Sequence, residues 1–170
     1  MTDTAGTFER EMLPHLGAAY TLARYLLRET ADAEDAVQEA YLQALRHFAG
    51  FRGENARAWL LTIVRRCCYA WAGREGRHPR AGDPDILDQL PADDDPEAAV
   101  VRAELKGQLA GAVDALPLPF REVIVLREIQ ELSYQEIATV TGVPVGTVMS
   151  RLSRARRRLQ NALEAQGMER

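Results

Sequence analysis

The chain has 170 residues, of which 46% are apolar and 27% charged, and its 25 acidic against 21 basic residues give a formal net charge of −4. The length suits one domain or two small ones, and no apolar run approaches the ~20 residues of a membrane-spanning helix. The N-terminus lacks the apolar segment of a secretory signal, so we expect a cytoplasmic protein without membrane insertion. The net charge alone would argue against binding to nucleic acid, but its distribution along the chain removes that objection.

The charge is unevenly distributed along the chain. The first 80 residues hold ten acids and eleven bases, and residues 100–170 hold eight acids and ten bases. Residues 81–99 hold seven acids and no base, and prolines are frequent there, which indicates a solvated linker. The predicted organisation is a domain over residues 1–78, an acidic flexible linker over 79–97 and a second domain over 98–170.

Apolar residues recur every three or four positions and no strand-like alternation occurs, so we predict an all-α fold. The first helix is expected to begin near Pro14 and to continue to about Leu27, with Leu16 on its inner face. Thr30 is a candidate N-cap for the second helix, whose apolar stripe includes Leu45.

A glycine-containing loop over residues 49–55 separates the second helix from a third, which is predicted from about Arg57 to Gly73. These three helices would form a compact bundle. Cys67 and Cys68 lie in the third helix and are the only cysteines. Because a zinc site needs several Cys or His ligands, at least one of them is interpreted as a small buried hydrophobe.

The second domain is predicted to contain four helices, over residues 99–116, 120–129, 134–140 and 145–165. Ser133 and Glu136 form a capping-box pattern at the start of the third of these, and Gly142 supplies a left-handed turn residue. A short capped helix, a tight turn and a longer polar helix are typical of a helix-turn-helix, whose second helix enters the major groove.

Five arginines fall within residues 151–158, on the last predicted helix. They could contact phosphates and guanine edges. The alternative is an ordinary solvated basic helix end; the preceding turn pattern favours the DNA-binding interpretation.

Four segments in order resemble the extracytoplasmic-function (ECF, group IV) sigma factors of the sigma-70 family. They are DAEDAVQEAY at 32–41, FRGE at 51–54 followed by WLLTIVRR at 59–66, LPLPFREV through ELSYQEIA at 116–138, and GVPVGTVMSRLSRAR at 142–156. The resemblance covers nearly the whole chain.

The resemblance implies three groups of site residues and no catalytic residue, cofactor or metal. The residues implied for core polymerase binding, through its beta-prime and beta subunits, are Asp35, Gln38 and Glu39. Those implied for the minus-10 promoter element are Phe51, Arg52, Asn55, Arg65 and Arg66, with Phe51 and Trp59 interpreted mainly as core anchors. Those implied for the minus-35 element are Arg127, Tyr134, Gln135, Thr147, Met149, Ser150, Arg151, Arg154 and Arg158.

The resemblance thus implies a non-enzymatic transcription initiation factor that directs core polymerase to specific promoters and opens them, under the control of an anti-sigma factor. Two alternatives remain. A sigma-like decoy that sequesters an anti-sigma factor would not need the arginines at 151–158, and a stand-alone helix-turn-helix regulator would leave the first domain without a role.

Overall fold

A computed structural model of the chain describes residues 3–74 and 107–167, which form helices and turns and no strand. This confirms the all-α fold, while the predicted linker at 79–97 and the start of the helix at 99–116 lie outside the described residues. The α-helices are α1 Thr4–Met12, α2 Leu16–Leu26, α3 Thr30–Arg46, α4 Ala56–Arg74, α5 over 107–114, α6 Leu118–Ile124, α7 Tyr134–Thr141 and α8 Val145–Ala165. None of the helices in these ranges is long and apolar enough to cross a membrane.

The N-terminal bundle contains a helix that the sequence analysis did not predict. Asp3 accepts a hydrogen bond from the backbone of Gly6 and caps α1, which buries Phe8 and Met12. Pro14 lies in a short 3-10 turn between α1 and α2. The expectation for Leu16 is wrong: its side chain is 46% exposed, because α2 turns Ala19, Leu22 and Leu26 toward the core instead.

α3 packs closely on α4 through small side chains. Ala36, Ala40 and Ala44 are fully buried, so the two backbones can approach. The prediction of Thr30 as the N-cap of this helix is wrong: the N-cap is Glu29, and Thr30 is the first helical residue. The Thr30 hydroxyl accepts a hydrogen bond from Arg24. Leu45 is 47% exposed and does not belong to the buried stripe.

α4 is the central helix of the molecule, since it contacts α2 and α3 on one side and α7 on the other. Its buried residues include Leu60, Val64, Cys67 and Cys68. The buried cluster to which they belong continues without a break into the C-terminal domain, whose contribution includes Val123, Leu126, Ile137 and Leu152.

The predicted helix over 120–129 changes its pitch halfway. It is α-helical through Ile124 and then forms a π-turn over Val125–Ile129, in which the amide of Gln130 donates to the carbonyl of Val125 at 3.1 Å. The wider turn ends at Glu131, whose φ of 56° is left-handed. This segment leads directly into the cap of α7.

Candidate nucleic-acid interface

The helix-turn-helix of the C-terminal domain has the expected local geometry. The Ser133 hydroxyl accepts from the amide of Glu136 at 3.0 Å, and the Glu136 carboxylate accepts from the amide of Ser133 at 2.9 Å. Gly142 ends α7 with a φ of 72°, in the left-handed region that favours glycine. Val148 and Leu152 of α8 are buried against the rest of the domain.

The outer face of α8 presents polar and basic side chains. Ser150 and Arg154 are exposed, Thr147 is half-buried, and Met149 is 52% exposed. Arg158 is exposed and its guanidinium lies over the Phe120 ring, 4.9 Å from the centroid. In a helix-turn-helix the second helix enters the major groove, and these are exposed or half-buried side chains of that helix.

Two arginines, Arg127 and Arg156, make contacts with other residues of the C-terminal domain. Arg127 donates to the carbonyl of Leu132 at 2.8 Å and lies over the Tyr134 ring at 4.8 Å. Arg156 forms an ion pair with Glu128 at 2.8 Å. The stacked arginine holds the tyrosine at the exposed start of α7.

Two more of the residues predicted for the minus-35 element, Gln135 and Arg151, differ in their exposure. Gln135 is exposed in the first turn of α7. Arg151 is half-buried, and its positive charge acts on the buried carboxylate of Glu122, where it opposes the rise that burial causes in the pKa of Glu122.

In the N-terminal domain, the loop before α4 is built on an aromatic stack. The Phe51 ring stacks on Phe48 at 5.6 Å between centroids and packs on Trp59 at 5.1 Å, as expected of a core anchor. Arg52 is exposed at the outer edge of the loop. The aromatic side chains therefore fix the loop and leave Arg52 exposed.

Beside this loop is a cavity of about 450 Å³ between the end of α3 and the middle of α4. Trp59 and Arg66 line it from α4, and Arg46 at the end of α3 and His47 just after it line the other side. The sequence analysis missed Arg46 and His47. Their position just before the glycine loop was the available signal, but only the packing of α3 on α4 brings them next to Arg66.

Asn55 and Arg65, the other predicted minus-10 residues, point to the second domain. The Asn55 amide donates to the Glu136 carboxylate at 2.8 Å, and Arg65 forms an ion pair with Glu122. The Arg65 guanidinium also lies over the ring of Tyr69, at 4.4 Å. The structure thus separates the polar residues of the predicted set into Arg52 and Arg66, which are exposed on the N-terminal domain, and Asn55 and Arg65, which contact the second domain.

The residues predicted to bind polymerase share one surface turn of α3. Asp35 and Gln38 are exposed, and Glu39 is half-buried and accepts a hydrogen bond from Gln43 at 3.2 Å. An apolar groove of about 700 Å³ adjoins them, with Gln38 on its rim. The groove is lined by exposed leucines. Leu16 and Leu45 are the two that the sequence analysis assigned to the core, and Leu13 and Leu42 are two that it did not single out.

Comparisons with known proteins give one family for both domains. The family model of sigma-70 region 2 matches residues 12–78, and that of sigma-70 region 4 matches residues 106–159. The chain is 34% identical to the ECF RNA polymerase sigma-E factor of Escherichia coli, over 86% of this chain and 80% of that protein. It is also 34% identical to the ECF RNA polymerase sigma factor SigE of Mycolicibacterium smegmatis, over 91% of this chain but only 61% of that protein.

Comparison with solved structures gives the same family. The fold is similar to that of the sigma factor RpoE in complex with the anti-sigma factor NepR from Bartonella quintana, with a TM-score of 0.73 and 30% identity, covering 93% of this chain and 97% of that one. It is also similar to CnrH in complex with the cytosolic domain of CnrY, with a TM-score of 0.65 and 26% identity, covering 93% and 88%. The chain belongs to the ECF sigma factors of RNA polymerase.

Proposed function

We propose that this sigma factor brings core RNA polymerase to promoters whose minus-35 element is held by α8 and whose minus-10 element is opened by the loop before α4. The observation that carries the proposal is the helix-turn-helix, in which a capped α7 and the left-handed Gly142 present α8 with Ser150 and Arg154 outward. Arg154 is suited to a guanine edge or a phosphate.

The residues proposed for the minus-35 element fall into two groups according to the chemistry of their side chains. Thr147, Ser150 and Arg154 are the candidates for base edges, and exposed Met149 can only make apolar contact, for example with a thymine methyl. Backbone contacts fall to the surrounding side chains: Arg127, Tyr134, Gln135, Arg151 and Arg158. This division predicts which substitutions change sequence preference and which weaken binding to every sequence.

The minus-10 contact uses the cavity between α3 and α4. A base taken out of the stack needs an aromatic or polar pocket to offset a few kcal/mol of unstacking. Trp59 offers an aromatic ring there, and Arg46 and Arg66 offer positive charge for the strand backbone. Arg52 extends the same basic surface along the loop.

Polymerase and an anti-sigma factor are the proposed protein partners. Asp35, Gln38 and Glu39 would bind the beta-prime subunit, with the leucine-lined groove beside them supplying apolar area. The similarity to RpoE bound to the anti-sigma factor NepR supports a partner of that kind for this chain.

The test is transcription in vitro. The purified chain is added to core polymerase and a library of promoter fragments, and transcripts are sequenced; a housekeeping sigma factor verifies the polymerase. Transcripts that start at a shared sequence motif and depend on the chain are the expected result. A stand-alone regulator or a decoy would give none, and that result would overturn the proposal.

A further inference from the structure

Glu128 and Arg156 form an ion pair on the surface of the C-terminal domain. Both Nε and Nη2 of Arg156 donate to one carboxylate oxygen of Glu128, at 3.1 and 2.8 Å. The two side chains are 47% and 51% exposed, and ion pairs as exposed as this one contribute little to the stability of a fold. Neither residue belongs to the set that the resemblance implies for the minus-35 element. Stability alone does not account for the pair.

The ion pair lies beside Tyr134, the first residue of α7. The Glu128 carboxylate raises the pKa of Arg156, and the Tyr134 hydroxyl acts on the same guanidinium in the same direction. The guanidinium of Arg127 lies over the Tyr134 ring, 4.8 Å from its centroid, and donates to the carbonyl of Leu132 at 2.8 Å. The tyrosine is therefore next to two guanidiniums, one at its ring and one at its hydroxyl.

The backbone that carries Arg127 and Glu128 departs from α-helical geometry. The π-turn over Val125–Ile129 is followed by Glu131, whose φ of 56° is left-handed. Such a conformation is strained for a residue with a Cβ, and strained or π-helical turns occur often at functional sites. Here the wide turn brings two adjacent side chains, one basic and one acidic, to the start of α7.

Arg156 leaves α8 on a different side from Arg154. Two residues along an α-helix correspond to about 200° of rotation, so the two side chains point to nearly opposite sides of α8. Arg154 is exposed on the side proposed for base edges, whereas Arg156 reaches the π-turn and the start of α7. In a helix-turn-helix the first helix crosses the DNA backbone. A phosphate, and not a base edge, is thus the group that Arg156 and Tyr134 can share.

We propose that Glu128 is a positioning residue: it holds the Arg156 guanidinium next to the Tyr134 hydroxyl, so that these two side chains together bind one backbone phosphate of the minus-35 duplex. The inference rests on the proposed function, because that function places α7 and α8 on the duplex. A guanidinium and a hydroxyl both donate to phosphate oxygens, and the bond from the guanidinium is charge-assisted. Glu128 itself does not contact DNA.

The Glu128 carboxylate has two opposing effects on DNA binding. Its negative charge repels phosphates, but Arg156 already compensates that charge. Its two hydrogen bonds fix a long side chain that would otherwise lose conformational freedom when it binds DNA. We expect the second effect to be the larger. Removal of the carboxylate should therefore weaken DNA binding, which is the opposite of what repulsion alone predicts.

The test compares Glu128→Ala, Arg156→Ala and the combined variant, each in the full chain. The matched control is Glu164→Ala, which removes the same charge from an exposed position of α8 whose partner is Gln160. The probe is a fluorescent pool of random DNA duplexes of about 30 base pairs, because a phosphate contact does not depend on sequence. Affinity is measured across a range of salt concentrations, since each phosphate contact on B-DNA contributes about 0.9 to the slope of log affinity against log salt.

We expect Arg156→Ala and Glu128→Ala each to weaken binding severalfold and to make the salt slope shallower by up to about 0.9. In the combined variant the second substitution should add no further loss, because Glu128 acts through Arg156. Glu128→Gln should stay close to the wild type, since its amide carbonyl still accepts from Arg156. The control variant should bind at least as tightly as the wild type.

Tighter binding or an unchanged salt slope for Glu128→Ala would overturn the proposal. Fully additive losses in the combined variant would overturn it as well, and so would a wild type that does not bind the pool at low salt. Failure of the proposed function is distinguishable, because it appears as an absence of chain-dependent transcripts from the wild-type protein, whatever the salt slopes of the variants.

A spectroscopic measurement tests the positioning without DNA. The Nε–H proton of an arginine exchanges with water more slowly when it is hydrogen-bonded to a carboxylate. Heteronuclear NMR at neutral pH should show a persistent Nε–H signal of Arg156 in the wild type and in Glu164→Ala, and a weakened one in Glu128→Ala. An equally persistent signal in Glu128→Ala would show that Glu128 does not hold the guanidinium.

Discussion

Ser133 and Glu136 satisfy each other's backbone amides at the start of α7, at 3.0 and 2.9 Å. Glu136 simultaneously accepts from Asn55 of the N-terminal domain at 2.8 Å. One carboxylate thus serves both the helix-turn-helix and the contact between domains. A change at Ser133 therefore affects the cap of α7 alone, whereas a change at Glu136 affects both the cap and the contact between the domains.

Ser133→Ala should lower the free energy of unfolding by about 1 kcal/mol, because the amide of Glu136 loses its acceptor. Ser153→Ala is the control, since it removes an exposed hydroxyl within α8. Urea unfolding followed by circular dichroism measures both. A Ser133→Ala protein as stable as the wild type would show that the cap contributes nothing.

Acid should remove the contribution that the Glu136 charge makes to the free energy of unfolding. The hydrogen bond from the Ser133 backbone, followed by that from Asn55, lowers the pKa of Glu136 in the folded protein. The contribution is therefore complete above the unfolded value of about 4.3 and is lost as the pH falls through the lower folded value. Unfolding of wild type and Glu136→Gln from pH 7 to pH 3 should show a stability difference that shrinks only at the acid end.

Gly142→Ala should destabilise the protein by about 1 kcal/mol, because its φ of 72° is strained for a residue with a Cβ. Gly146→Ala is the matched control: it also has open space around the added Cβ, but it lies inside α8, where Ala is favoured by about 0.5–1 kcal/mol. Thermal unfolding should move in opposite directions for the two variants. Equal shifts would mean that the turn is not held in this conformation.

Arg154→Ala should weaken binding to the minus-35 duplex by about 1–3 kcal/mol and leave the affinity for core polymerase unchanged. Arg10→Ala in α1 removes the same charge at an exposed position of the other domain and serves as the control. Promoter affinity of the reconstituted holoenzyme, measured by fluorescence anisotropy, checks both. An unchanged affinity for Arg154→Ala would exclude α8 as the recognition helix.

Arg66→Ala should weaken binding to single-stranded DNA for every sequence, because its charge lines the cavity beside Trp59. Loss of one phosphate contact lowers the slope of log affinity against log salt by about 0.7 on a single strand. A salt titration with random 15-nucleotide strands measures it, with Arg10→Ala again as the control. A slope equal to that of the control would mean that Arg66 does not contact the strand.

The elements with strong local signals were predictable from the sequence. The capping box of α7, the left-handed Gly142 and the long polar α8 each depend on neighbours within four residues, so a local pattern suffices. α1 was missed because its apolar residues, Phe8 and Met12, are too few to show a period. Leu16 and Leu45 were misassigned because an apolar side chain at core spacing is not thereby buried.

The contact between the domains was beyond the sequence for a different reason. Arg65 and Glu122 are 57 positions apart, and Asn55 and Glu136 are 81 apart. No period links such residues, and each looks like an ordinary surface charge or a turn residue. The resemblance to the sigma factors implied roles for Arg65 and Asn55 on DNA, and it gave no indication that carboxylates of the same chain bind them.

The two adjacent thiols of α4 have a practical consequence. Cys67 is 4% exposed and Cys68 is fully buried, and burial raises the pKa of Cys68 far above that of an ordinary thiol. Alkylating reagents need an exposed thiolate, so they reach Cys68 only when the side chains packed around it transiently move away. The rate at which the native protein is alkylated therefore measures how often the packing around α4, the helix that contacts both domains, opens locally.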